Sequence, residues 1–149
     1  MIIEESIAGR SLLARLDHGA EMIGQIADLA RERRIKAAAI SAIGALTRAD
    51  LGFYDQASRE YMVRAVEGPV EIASCTGNIS LLEGEPFVHA HAVLADSSGY
   101  ILAGHLVRGT IFAAELYLNE LAQADLNRAH DSQTGLKLWA GGQAKGVGN

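Results

Sequence analysis

The sequence predicts an α+β fold, in which a largely antiparallel β-sheet is combined with one main amphipathic helix. Across residues 20–34, apolar side chains recur at the three- and four-residue spacing of an amphipathic helix. Most of the remaining chain up to residue 121 consists of short runs of apolar, β-branched and small residues between turn-forming residues, which is typical of strands. One long helix among many short strands, without an internal repeat, indicates an α+β domain.

Local signals place the first strands and the helix. Residues 6–17 carry a mixed apolar pattern that predicts one or two short strands, and His18-Gly19 then turns the chain. Asp17 is the candidate N-cap of the helix, and Glu21 lies in its first turn, where a carboxylate interacts favourably with the helix dipole. The C-terminal end of the helix is basic, which suits the same dipole and favours a solvated helix end over a nucleic-acid contact; the residues are Arg31, Arg33 and Arg34.

Further strands are expected after the helix. Gly44 and the pair Gly68-Pro69 mark breaks between strands, and Gly84-Glu85-Pro86 forms a corner. The final segment fits both a helix and a strand, although its β-branched and aromatic residues favour a strand for at least its first half. The expected strands are residues 35–43, 46–54, 61–66, 70–82, 87–95, 100–107 and 110–121.

Length and composition predict a single domain over residues 1–140. A chain of 149 residues with 49% hydrophobic residues is long enough for one core. Residues 141–149 are rich in glycine, so we expect a flexible C-terminal tail. The sequence has no run of about 18 apolar residues for a membrane span and no secretory signal at its start, so we expect a cytoplasmic protein. The single cysteine, Cys75, is expected to be a small buried apolar residue rather than a reactive thiol.

Three of the five histidines lie within 17 residues and are the candidate functional residues. Imidazole is a good ligand for divalent transition metals, and three imidazoles leave a fourth position open on a tetrahedral ion. The sequence therefore predicts a metal site formed by His89, His91 and His105. Zinc is the first expectation for the ion, and another divalent transition metal is the alternative.

Whether the three rings meet depends on the hairpin between the two histidine segments. A loop of Ser97-Ser98-Gly99 would put glycine at the left-handed position and pair His91 with His105. His89 and His91 share one strand face, and His105 joins that face in this register. A two-residue loop would send His105 to the other face. The alternative interpretation is a pair of histidines that are hydrogen-bonded within a half-buried sheet and bind no ion.

The residues also carry a resemblance to a known family. Four segments, in order, resemble the plants-and-prokaryotes conserved (PPC) domain over about residues 6–140: SAIGALTRADLGFYD at 41–55, Thr76-Gly77-Asn78-Ile79-Ser80, Pro86-Phe87-Val88-His89-Ala90-His91 and Gly104-His105-Leu106. The resemblance implies an α/β fold around a largely antiparallel sheet and assembly into a homotrimer. In several prokaryotic members it also implies a metal ion held by the histidines that match His89, His91 and His105. The chain resembles the stand-alone prokaryotic type, without the AT-hook of the plant proteins, and such members are often described as candidate DNA-binding proteins.

Carboxylates near the histidines are candidates for orienting a bound imidazole or for acting as a base. Glu83 and Glu85 precede the first histidine strand, and Asp96 starts the hairpin turn. Glu115 interrupts an apolar strand, and for this residue we favour a competing interpretation, an intersubunit or buried ion pair, for example with Arg108. Catalytic residues remain unassigned.

The sequence argues against several familiar functions. It has no phosphate-binding loop, no dinucleotide fingerprint and no Gly-x-Ser-x-Gly nucleophile motif. Its 13 basic and 18 acidic residues give a net charge of −5, which opposes binding to a DNA backbone. Two functions remain. The first is a metal-binding homotrimer that acts as a metal-dependent enzyme or a small-molecule sensor, with no substrate assigned. The second is a regulatory module that binds DNA or a protein partner.

Overall fold

The computed structural model of this chain describes residues 1–140. The expected tail of residues 141–149 lies outside the described residues. In chain order, the elements are β1 (Ile7–Leu16), α1 (Met22–Arg33), β2 (Ala38–Asp55), β3 (Glu60–Leu82), β4 (Glu85–Ala95), β5 (Ile101–Ala122), β6 (Asn127–His130) and β7 (Lys137–Ala140).

The strands form one sheet that is antiparallel at nearly all of its pairings. The order along the sheet is β1-β5-β2-β3-β6-β7, and β4 pairs with both β3 and β5. Because β5 also pairs with β2, the strands β2, β3, β4 and β5 form a closed circuit of hydrogen bonds. The short pairing of β3 with β6 is parallel. The predicted α+β fold, with a largely antiparallel sheet and a helix, is confirmed.

Helix α1 covers one face of the sheet. Met22, Ile26 and Ala30 recur every four residues along one side of the helix and are fully buried. This side packs mainly against β4 and β5. The core that it covers consists mostly of alanine, valine, leucine and isoleucine, in agreement with the low aromatic content of 5%.

The helix begins with a different cap from the one expected. Glu21 is the N-cap, and its carboxylate accepts hydrogen bonds from the backbone N–H groups of Ile23 and Gly24 at 3.0 and 2.7 Å. The expectation that Asp17 caps the helix is wrong. The Asp17 carboxylate lies in the preceding turn and accepts a hydrogen bond from Gln25 Nε2 at 2.6 Å. The two carboxylates therefore support the same helix terminus from different positions.

Strands β2 and β3 are long and continuous, so the predicted breaks at Gly44 and Gly68-Pro69 are wrong. The β2–β3 register shifts at both points, between Ala42 and Gly44 and between Leu46 and Arg48 of β2. Each shift is a β-bulge, at which extra residues stay unpaired while the strand pairing continues on both sides. Proline has no N–H to donate to a ladder, and a bulge is a position where that loss is tolerated.

The later part of the chain contains more strand than the sequence predicted. The segments expected at 100–107 and 110–121 form one strand, β5, which resolves the ambiguous final segment in favour of a strand. The corner after β3 is the pair Glu83-Gly84, both at positive φ, so Glu85 and Pro86 already belong to β4. The short strands β6 and β7 were not expected, because the sequence beyond residue 122 is polar and weakly patterned.

Cys75 is buried, and burial raises the pKa of its thiol to about 11, which agrees with the expected role as a small apolar residue.

Among residues 1–140, no helix has both the length and the apolar character that a membrane crossing requires.

Gly44→Ala is expected to destabilise the fold strongly. Gly44 has a φ of 138°, and a Cβ there would lie 2.1 Å from the carbonyl oxygen of Ala113. We expect the free energy of unfolding in urea to fall by about 3 kcal/mol or more, because the clash adds to backbone strain.

Gly99→Ala is the matched control for this substitution. Gly99 also has a positive φ, of 82°, but a Cβ there would meet no atom within 4 Å. Its cost should therefore be about 1 kcal/mol, from backbone conformation alone. Equal losses in the two variants would contradict the close approach at Gly44.

Candidate metal site

The hairpin between β4 and β5 has the three-residue loop that the sequence predicted, Ser97-Ser98-Gly99. The backbone N–H of Asp96 donates to the carbonyl oxygen of Tyr100 at 3.0 Å, and the glycine adopts a positive φ of 82°. The Asp96 carboxylate stabilises the loop by accepting from the backbone N–H of Tyr100 at 3.0 Å. His91 is consequently paired with His105 across the two strands.

Three imidazole rings converge in this register. His89 and His91 alternate with buried Ala90 along β4, so both project from the same face, and His105 joins them from β5. The ring centroids lie 5.1, 5.3 and 5.6 Å apart. One nitrogen of each ring lies within 4.8 Å of those of the other two, a group that could hold a metal ion. The predicted convergence of the three histidines is thus present.

Strand β3 contacts the strands β4 and β5 that carry the histidines. Gly77 on β3 lies opposite Ala90, and a Cβ at Gly77 would meet the carbonyl oxygen of His89 at 2.1 Å. Only glycine permits this approach without a shift of the backbone. The Tyr61 ring, also on β3, lies 5.5 Å from the His105 ring between centroids. Strand β3 therefore contributes both close backbone packing and an aromatic ring next to the cluster.

Burial keeps two of the rings neutral. His91 is exposed, whereas His89 and His105 are partly buried. Burial, assisted by the charge of Arg128, lowers the pKa of His89 to about 4. Burial also lowers the pKa of His105. Because neutral imidazole is the form that binds metals, these shifts favour ligation over protonation near neutral pH.

The donor set fits a divalent transition metal. Nδ1 of His105 is buried and has no hydrogen-bond partner within residues 1–140, a state that costs free energy and that a bonded ion would relieve. Nitrogens of the three rings already lie within 4.8 Å of one another, so His89, His91 and His105 could hold such an ion if the rings moved closer together. Three such ligands would leave one tetrahedral position for a further group.

The candidate carboxylates before and within the hairpin do not join the histidine cluster. Glu83 lies in the turn before β4 at a φ of 55°. The Glu85 carboxylate points to the helix and accepts from Arg31 Nε at 3.0 Å. Asp96 is engaged in the hairpin loop. Glu85 and Asp96 therefore make structural contacts, and none of the three carboxylates belongs to the histidine cluster.

Glu115 does not pair with Arg108 within the described chain, so that expectation is wrong for a single subunit. The two residues lie seven positions apart on β5, and Arg108 is opposite Asp50 of β2. Glu115 instead accepts a long hydrogen bond of 3.4 Å from the Tyr117 hydroxyl. It is exposed, on the sheet face that α1 leaves uncovered.

A charged residue that sequence reasoning missed lies beside the cluster. Arg128 of β6 places Nη2 3.5 Å from Nδ1 of His89. Its position depends on the parallel pairing of β6 with β3, which brings residue 128 opposite Leu82. The sequence carries no signal for this approach, because a lone arginine in a polar segment is typical of the solvent-exposed surface.

In metal-free protein, the His89 ring is expected to stay neutral down to about pH 4. The unfolded chain would take up this proton near the ordinary pKa of 6.5, so this residue should make stability fall as the pH drops from about 6.5 towards 4. The imidazole nitrogen shifts in an NMR titration report the midpoint directly. A His89 midpoint near 6.5 would contradict the burial of this ring.

Comparison with known proteins gives a family and several similar structures. The model of the Plants and Prokaryotes Conserved (PCC) domain matches residues 3–122. No curated protein matches the chain. A metal-containing protein from Archaeoglobus fulgidus is 40% identical with a TM-score of 0.91, and the match covers 94% of this chain and 99% of that chain.

Two further structures show the same fold along most of the chain. A plant- and prokaryote-conserved (PPC) protein from Pyrococcus horikoshii is 36% identical with a TM-score of 0.90, covering 96% of this chain and 99% of that chain. A candidate DNA-binding protein from Ralstonia eutropha is 28% identical with a TM-score of 0.77, covering 86% of this chain and 89% of that chain. The family match spans most of the sequence, and it confirms the resemblance carried by the histidine motifs. This chain belongs to the Plants and Prokaryotes Conserved domain family.

Proposed function

We propose that this protein is a homotrimer that binds zinc through His89, His91 and His105 and uses the remaining coordination position to act on, or to sense, a small molecule. The observation that carries the proposal is the meeting of three imidazole nitrogens within 4.8 Å, produced by the hairpin register. Three protein ligands with an open position are typical of catalytic zinc sites, whereas structural sites have four protein ligands.

Zinc is the metal that best suits this donor set. Imidazole binds zinc, copper, iron and nickel, and the absence of thiolate and carboxylate from the cluster disfavours iron–sulfur, magnesium and calcium sites. The similar Archaeoglobus fulgidus protein contains a metal, which supports a metal here. A zinc ion at this position would supply Lewis acidity towards a carbonyl or phosphoryl oxygen.

The proposed homotrimer would cover apolar side chains that a single chain leaves exposed. Leu13 is 76% exposed, and it lies on the sheet face that α1 does not cover. A row of directly paired residues crosses the strands from Leu13 to the histidine cluster. Its members are, in order, Leu13, Tyr117, Ser41, Thr76 and His91. Leu13 and Tyr117 are the large apolar members of this row, and exposed apolar side chains that are direct neighbours suit an interface.

DNA binding is the alternative function, favoured by the basic C-terminal end of α1. Acidic partners neutralise part of this surface. Arg31 Nε contacts Glu85 at 3.0 Å, and Arg10 Nε, on the adjacent strand, contacts Glu120 at 2.7 Å. Among residues 1–140, no salt bridge includes Arg33 or Arg34, but the net charge of −5 still opposes binding to a phosphate backbone. Salt-dependent retention of the protein on duplex DNA would favour this alternative over the metal-dependent role.

Untagged protein is expected to bind about one zinc ion per chain. His91→Ala removes the exposed ligand with little effect on packing and should weaken zinc affinity by at least about 100-fold, since even outer partners of a ligand are worth 10- to 100-fold. Zinc content by mass spectrometry and zinc affinity by calorimetry measure these outcomes.

His130→Ala is the matched control. His130 is also an exposed histidine, but it lies at the end of β6 and outside the cluster. It should leave zinc affinity unchanged. Zinc binding that survives His91→Ala, or that falls equally in the two variants, would contradict the proposed site.

In solution, the mass from light scattering is expected to be three times the chain mass of 15.8 kDa. Leu13→Asp should shift the population towards smaller species, because the proposed interface would then bury a carboxylate. The measurement is made over a range of protein concentrations. A monomer or dimer at every concentration would contradict the homotrimer.

A further inference from the structure

Arg128 is held in one orientation beside the histidine cluster. Its Nε donates to Ser80 Oγ at 2.7 Å, and its Nη1 donates to the carbonyl oxygen of Lys137 at 2.9 Å. Its Nη2 donates to Asn78 Oδ1 at 3.0 Å. The guanidinium also lies 4.9 Å from the centroid of the Phe87 ring, within the range of a cation–π contact. These contacts immobilise a side chain that is otherwise flexible.

This guanidinium has no compensating negative charge in the described chain. Within residues 1–140, none of the salt bridges includes Arg128. Burial lowers its pKa, yet an arginine remains charged in proteins. A partly buried cation without an anion costs free energy, which a bound anion would recover. Three of its five N–H groups are used in the hydrogen bonds described above, and the second N–H of Nη2 makes only a long contact of 3.5 Å to Nδ1 of His89. One N–H of Nη1 therefore remains free for a ligand, and one N–H of Nη2 is weakly engaged.

A cavity of about 310 Å³ joins this guanidinium to the histidine cluster. Its volume lies at the small end of ligand pockets in proteins. Arg128, His89 and His105 contribute nitrogen atoms to its wall. The rest of the wall combines the aromatic and aliphatic side chains of Tyr54, Tyr61, Phe87, Leu136 and Leu138 with Arg59, Gly135 and Lys137.

We propose that this pocket binds a small organic monocarboxylate, whose carboxylate accepts from Arg128 and whose apolar body packs against Tyr54 and Tyr61. The proposal rests on the proposed function, because the ligand would lie beside the zinc site. One carboxylate oxygen can accept from the free N–H of Nη1, and the other can accept from the N–H of Nη2 in place of its long contact with His89. A phosphate would gain little from the aromatic and aliphatic part of the wall, whereas the body of an organic acid would pack against it. The chemistry of the pocket therefore favours an organic acid over an inorganic anion.

Benzoate is a suitable probe, with benzamide as its neutral analogue and inorganic phosphate as the competing anion. Zinc-loaded protein should bind benzoate at least about tenfold more tightly than either of the other two, because a charge-assisted hydrogen bond is about twice as strong as a neutral one. Calorimetry measures the three affinities. In wild-type protein, NMR signals of the His89 and His105 rings should shift on adding benzoate, which locates the binding without any substitution.

Arg128→Lys retains the charge but loses the planar pair of donors. It should weaken benzoate binding at least about tenfold while changing zinc affinity less than about threefold. Arg64→Lys is the matched control, since Arg64 is an exposed arginine of β3 that does not line this cavity. It should change benzoate affinity less than about threefold. Melting curves of both variants show whether the fold is retained.

Several results would overturn the carboxylate pocket. The first three are no benzoate binding, equal benzoate binding by wild type and Arg128→Lys, and a larger loss in Arg64→Lys than in Arg128→Lys. The other two are phosphate binding as tight as benzoate binding and NMR shifts on adding benzoate that are remote from the His89 and His105 rings. If zinc binds and benzoate does not, this proposal alone fails. If no zinc binds, the proposed function fails, and the carboxylate pocket is then tested in metal-free protein. Benzoate binding that is lost in Arg128→Lys would support the pocket, and no benzoate binding would overturn it.

Discussion

The register of the β4–β5 hairpin is the constraint on which the rest of the site depends. A shift of one residue in the pairing of β4 with β5 would move His105 to the opposite face of the sheet and separate it from His89 and His91. The loop ending in Gly99 sets this register, and Asp96 stabilises it with its carboxylate. Gly77 then allows β3 to press against β4 at His89. Backbone pairing and two glycines, Gly77 and Gly99, thus position the histidines. Among residues 1–140, none of the salt bridges includes one of the three histidines.

The sequence predicts the features that depend on local signals. The helix follows from apolar periodicity, and the meeting of His91 with His105 follows from a turn whose length can be read from Ser97-Ser98-Gly99. Features that depend on distant pairing could not be predicted. Gly44 and Gly68-Pro69 suggest strand ends, yet pairing over many residues continues β2 and β3 through them as bulges. A glycine or proline does not end a strand when the residues on both sides of it are well paired with a neighbouring strand.

The same limit explains why Arg128 was missed. Its place beside His89 is created by a two-residue parallel pairing between β3 and β6, between segments almost 50 residues apart. No local pattern in a polar stretch reports such a contact. Residues 127–140 make the surroundings of the three histidines unequal. His91 is exposed, whereas His89 and His105 border a cavity that contains the Arg128 guanidinium and aromatic side chains. Membership of the family establishes the fold, and the chemistry is argued from this arrangement of side chains.

The central claim is that the three imidazoles hold one zinc ion. Diffraction from crystals of zinc-loaded protein, collected on both sides of the zinc absorption edge, tests it most directly. The account predicts one anomalous peak per chain at bonding distance, about 2.0–2.1 Å, from a nitrogen of His89, His91 and His105. No peak between these rings, or a peak bonded to other residues, would contradict it.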